Sequence, residues 1–259
     1  MKGKMGGKRG RKILIPKPPK APKEAHSKSP ADNKKWHDKQ IDHLADRLEK
    51  NYSIHVDKEA MKSIDFKSAK EAMESVENVA KNFSATYSFW KDQGGVSLRT
   101  TNSNQNFYAR AALYQGYVEA NKKYFSNGAN LNSSYARDLK TGFHPANTKS
   151  NAIIAHETGH LLVTGYAANN NINLYGSMVD VDRAAKDILE KARKIPGVKN
   201  YFKRNGISLN ATKKQAGLIS GYAIKSNHET IAEAVADYYA NGSRANIYSR
   251  AIVRVLKGK

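Results

Sequence analysis

The run Ala155-His156-Glu157-Thr158-Gly159-His160-Leu161 constrains this chain more than any other stretch. Two imidazoles four positions apart point the same way only on an α-helix, so the run predicts a helix that carries both on one face. The lead-in Asn151-Ala152-Ile153-Ile154-Ala155 is mostly apolar, which predicts that this helix is buried. With 8 His and 11 Glu in 259 residues, a His-Glu-x-x-His match has a chance expectation of only about 0.01. Such a face suits a zinc ion, with His156 and His160 as ligands and Glu157 placed to take a proton from the water that the metal activates. Zinc in a hydrolytic site needs a third protein ligand and keeps its fourth position for water.

The chain has no cysteine, so the third ligand must be a histidine or a carboxylate. Asn227-His228-Glu229-Thr230-Ile231-Ala232-Glu233-Ala234-Val235-Ala236-Asp237 is the run that fits best, because Glu229 and Glu233 lie one helical turn apart and face the same way. One carboxylate could bind the metal while the other orients a ligand imidazole. The small side chains of Ala232, Ala234 and Ala236 would let a neighbouring helix come close. Each residue also has a plainer reading. Ser226-x-x-Glu229 fits a helix capping box, Glu233 and Asp237 fit solvent-facing charges, and His228 is either a competing ligand or a surface group at the helix start. His26, His37, His43, His55 and His144 have no paired metal-binding context.

The rest of the chain reads as an α+β layout. Residues 1–33 combine glycines, prolines and a charge excess, which predicts a disordered basic tail. Residues 1–35 hold 12 Lys and Arg against Glu24 and Asp32. A tail of this kind recruits phosphate without a fold, so nucleic acid is an expected partner. No aromatic residue is interleaved there to stack on bases. Residues 34–84 predict a helical extension, with helices over 34–50 and 58–82. Strands are expected at 97–100 and 111–118, after a turn at Gly94-Gly95. Residues 122–150 read as irregular, being rich in Asn, Ser and Gly. Further helices are expected from 151 to about 163 and over 176–194, 211–220, 228–241 and 246–257, with Asn169-Asn170-Asn171 and Pro196-Gly197 as punctuation. No apolar run is long enough to span a membrane and no cleavable secretion signal is evident, so a cytoplasmic or virion-associated location is expected. The formal net charge of +21 favours polyanionic partners.

Taken together, Ile154 to His160, Gly221-Tyr222-Ala223 and Asn227 to Ala234 resemble the zincin domain of the anthrax lethal factor type. They are also similar to related zincin domains of phages and mobile elements, including minor head proteins. The resemblance covers roughly 85–257 and implies a gluzincin-type metallopeptidase domain over 85–259. It implies Glu229 as third ligand and Glu233 as a support outside the metal's own shell. Tyr222, seven positions before Glu229, is implied as a hydrogen-bond donor to the oxyanion. Gly142-Phe143-His144-Pro145 resembles the approach to the active helix in phage-type relatives. The chain departs from the pattern in the long stretch between His160 and Glu229, and it lacks the toxin's large delivery domains. The expected function is zinc-dependent endopeptidase action on a protein or peptide. A virion or nucleic-acid-associated structural protein and an exported toxin are the alternatives.

Overall fold

The computed structural model describes residues 29–173 and 176–259, which form a mixed α and β fold that is mostly helical. The expected basic tail falls largely on residues 1–28, outside the described residues. Its last residues are helical, because α1 (Pro30–Tyr52) starts at a proline and is capped by Ser29, which accepts the Asp32 N–H. Ile41, Leu44, Ala45 and Leu48 form its buried stripe. The short strand β1 (Ile54–Val56) comes next. The helix expected over 58–82 is two, α2 (Lys58–Lys62) and α3 (Phe66–Asn82), because Asp65 accepts the Ser68 N–H and begins a new helix. Another helix, α4 (Ser84–Asp92), precedes the sheet.

The sheet adds β2 (Val96–Thr101), β3 (Ala109–Ala112) and β4 (Tyr117–Asn121), in the order β1-β2-β4-β3. β1 and β4 run parallel to β2, and β3 runs antiparallel to β4. The strand expected over 111–118 is therefore a hairpin, with Ala111 opposite Val118. Gly116 makes the turn: its φ is +65°, and a Cβ there would lie 2.6 Å from the Trp90 ring. Residues 34–84 share one core with the remainder of the chain, since β1 joins the sheet and α3 packs on the motif helix.

The stretch 122–150, expected to be irregular, contains α5 (Lys122–Phe125) and α6 (Gly128–Lys140). Asn127, a turn former by residue type, caps α6 by accepting the Asn130 N–H, while Leu131 and Tyr135 supply its buried side. The motif helix α7 (Ala152–Asn169) outlasts its expected end near 163, because Thr164, Gly165, Tyr166 and Ala167 are all buried. It is apolar all round, as a central helix must be. It touches β3 and β4 as well as α3 and α4. Trp90 Nε1 donates to the Leu161 carbonyl at 2.9 Å, and Thr164 Oγ1 to the Leu113 carbonyl at 3.0 Å.

Beyond α7 come α8 (Met178–Lys194), α9 (Pro196–Arg204) and α10 (Thr212–Gly217). Pro196 starts a helix rather than interrupting one, because proline at the first helical position gives up no needed hydrogen bond. A 3-10 turn (Tyr222–Lys225) leads into α11 (Asn227–Asn241), and α12 (Ile247–Leu256) closes the chain. α11 packs on α7, α8 and α12. Among the described residues, no helix is long and apolar enough to cross a membrane.

Candidate metal centre

Close contact between α7 and α11 builds the site. A Cβ on Gly159 would stand 3.1 Å from both the Ala232 Cα and the Val235 Cβ, so glycine on one helix and alanine on the other set the separation. α11 is anchored at its start, where the Asn227 backbone and side-chain amides donate to Asp182 of α8 at 3.1 and 2.9 Å. Ser226 caps it, with Oγ accepting the Glu229 N–H at 3.2 Å. The cap is therefore present, yet the Glu229 carboxylate is turned toward α7.

Glu229 Oε2 lies 3.2 Å from His156 Nε2 and 3.4 Å from His160 Nε2. It is buried and has no hydrogen-bond partner among the described residues. Donors at about 2.05 Å from a tetrahedral zinc are about 3.3 Å from one another, so the spacing fits an ion held by two nitrogens and one oxygen. The residue types fit as well, being imidazole and carboxylate in a chain without thiols. His156, Glu157 and His160 also bring their donor atoms within 4.8 Å of one another, as do His160, His228 and Glu229.

Charge around these donors is arranged for a cation. Burial opposes ionisation of Glu229, but the His156 and His160 rings outweigh it and hold the carboxyl well below its ordinary range. Burial likewise opposes protonation of His156, and Glu229 and Glu233 overcome it, raising that ring's pKa well above its ordinary value. His160 is moved down, chiefly by burial. A dication would take over the role of the His156 proton among these carboxylates. Burial pushes Glu157 up to about 7, with His156 pulling the other way and Glu229 and Glu233 adding to the rise. The Ala111 N–H on β3 donates to the Glu157 carboxylate, so the end strand of the sheet borders the base.

Glu233 is buried, not solvent-facing. Its Oε1 is 2.7 Å from His156 Nδ1, on the side of the ring away from Glu229. Burial works against its ionisation, yet the His144 and His156 rings bring its pKa down to about 2. Asp237 is buried too, accepting the Asn246 N–H at 2.9 Å ahead of α12. Tyr222 sits on the 3-10 turn with its ring 5.7 Å from that of His156. Two backbone bonds hold the turn, Gly221 N–H to the Gly142 carbonyl at 2.7 Å and Tyr222 N–H to the Phe143 carbonyl at 3.1 Å. Burial, with Glu229 and Glu157 nearby, raises the Tyr222 phenol and keeps it protonated.

Two histidines join the site that the sequence did not assign to it. His144 stacks on Tyr135 with centroids 4.2 Å apart, and its Nδ1 is 3.9 Å from Glu233 Oε1. Only the Gly142-Phe143-His144-Pro145 likeness hinted at it. His228 is half-buried, with Nδ1 3.3 Å from His160 Nδ1; its place beside Glu229 was the available signal. Next to the centre lies a cavity of about 460 Å³, walled by Phe107, Tyr108, Tyr124, Tyr135 and Phe143 and reaching His156, Glu157 and Tyr222. In comparisons with protein-family models, with curated proteins and with solved structures, nothing matches this chain.

Proposed function

We propose that the chain is a zinc-dependent endopeptidase with a zincin-like, gluzincin-type domain, in which His156, His160 and Glu229 are the protein ligands. The observation that carries this reading is the buried Glu229 Oε2, brought 3.2 and 3.4 Å from two Nε2 atoms of a distant helix without a hydrogen bond of its own. Leaving a buried carboxylate oxygen unpartnered costs about 1–3 kcal/mol or more, a cost that a bound cation removes. The likeness of both motifs to zincins supports the same conclusion.

When bound, zinc would polarise the scissile carbonyl and acidify a water. Glu157 takes one proton from the attacking water as the water oxygen bonds to the carbonyl carbon. The C–N bond then breaks, and Glu157 passes that proton to the leaving amine. A carboxyl with a pKa near 7 serves in both directions. Tyr222, held protonated, donates to the carbonyl oxygen as negative charge builds there. Glu233 fixes the His156 ring through Nδ1, so that Nε2 faces the metal. The outer edge of β3, which has no strand partner among the described residues, offers backbone groups to an extended peptide.

The test is cleavage of an unbiased peptide library by the zinc-loaded protein and by Glu157→Gln. The expected result is cleavage by the wild type and a loss of about 10²–10⁴-fold in the variant, with zinc content unchanged. Zinc-loaded wild type that cleaves no peptide would overturn the assignment.

A further inference from the structure

From Lys191 to His228 the chain carries nine Lys and Arg and no Asp or Glu. An even spread of its 23 acidic residues would place about three in that stretch. The stretch covers the end of α8, all of α9 and α10, and the loop between them. Lys194, Lys199, Lys203, Arg204, Lys213 and Lys214 are all exposed, and none has a carboxylate within ion-pair distance among the described residues.

Folding makes these cations one surface. α9 buries Val198 and Phe202, with the Phe202 ring against Tyr248 at 5.3 Å. Lys199 and Lys203, one turn apart, are thereby left on its outer side with Arg204. The loop after α9 is tied back by the Ile207 N–H to the Phe202 carbonyl at 2.9 Å and by Arg193 Nη1 to the Leu209 carbonyl at 3.5 Å. Gln215 Nε2 donates to the Ser208 carbonyl at 2.8 Å, which fixes α10 to the same loop. Like charges held together without interleaved acids repel one another and favour an anionic partner.

We infer that the α8–α10 surface binds the phosphate backbone of nucleic acid, independently of the metal centre. Lysine-rich contacts flanked by small polar groups, here Asn200, Asn205, Ser208 and Asn210, are the kind that hold phosphates without reading bases. A bilayer partner would call for apolar side chains among the cations. The exposed large apolar residues among those described are Met178, Val179 and Ile224, and none lies between 191 and 214. A protein partner would call for exposed aromatic anchors, and Phe202 is buried while Tyr201 is partly so.

The experiment is fluorescence anisotropy of a labelled duplex DNA with the full chain, over a salt series. The patch variant combines Lys199→Gln, Lys203→Gln, Arg204→Gln, Lys213→Gln and Lys214→Gln. The control variant combines Lys39→Gln, Lys50→Gln, Lys67→Gln, Lys70→Gln and Lys81→Gln, also exposed cations. Unchanged melting temperatures establish that both sets fold. The patch variant is expected to bind at least about tenfold more weakly and to flatten the slope of log K against log salt by about four, near 0.9 per lost contact. The control is expected to lose far less. Equal losses in both variants, or wild-type binding by the patch variant, would overturn the inference. So would a patch-dependent loss seen only with polyglutamate, or only with phosphatidylserine vesicles, as the probe.

Discussion

Replacing Gly159 with alanine tests how the two helices make the metal centre. The added methyl would stand 3.1 Å from the Ala232 Cα and the Val235 Cβ, and 3.3 Å from Val235 Cγ2. Carbon atoms in comfortable contact are about 3.5–4.0 Å apart, so α11 must retreat by about 0.5 Å. Two effects oppose each other in the metal-free protein. Alanine is the better helix former by about 1 kcal/mol, while overpacking costs about 1–3 kcal/mol. The expected balance is a loss of up to about 2 kcal/mol, or a few degrees of melting temperature at this chain length. Retreat of α11 also carries Glu229 Oε2 away from two nitrogens now at 3.2 and 3.4 Å. A misplacement of about 1 Å can cost a hundredfold, so half of that should weaken zinc binding by about tenfold. Thermal melting in chelator and then in buffered zinc reads both effects. If Gly159→Ala melts no lower than the wild type and gains as much from zinc, the close approach does not govern the site.

Two further substitutions separate packing from chemistry. His228→Phe should weaken zinc binding by about tenfold, since supports of metal-bound imidazoles are worth about 10–100-fold and His228 Nδ1 is 3.3 Å from His160 Nδ1; competition with a chromophoric chelator measures it. Gly165→Ala would drive a methyl into the Thr86 carbonyl oxygen on α4, so a loss of about 1–3 kcal/mol is expected in denaturant unfolding, with zinc affinity unaffected because that contact lies away from the ligands.

Legibility in the sequence divides along local and tertiary lines. His156, Glu157 and His160 lie within about one helical turn, so their spacing alone put them on a common face. Glu229 could not be separated from a capping residue in that way, because Ser226 does cap α11; the likeness to zincins selected it. The roles of His144 and His228 arise from contacts across the fold, His144 with Glu233 on α11 and His228 with His160 on α7, and no spacing encodes them. The errors in the elements share a cause. Asn127 and Pro196 read as loop formers, but they are the cap of α6 and the first residue of α9, where the same backbone preferences start a helix. Gly116 lay inside an expected strand and turns the chain into a hairpin instead.

The central claim is that one ion joins α7 to α11. Metal analysis by mass spectrometry on wild type and Glu229→Ala, prepared side by side with equal dialysis, tests it most directly. About one zinc per chain is expected in the wild type, with zinc lost from the variant while its helical signal is retained. Full occupancy in Glu229→Ala, or a wild type that takes up no zinc, would contradict it.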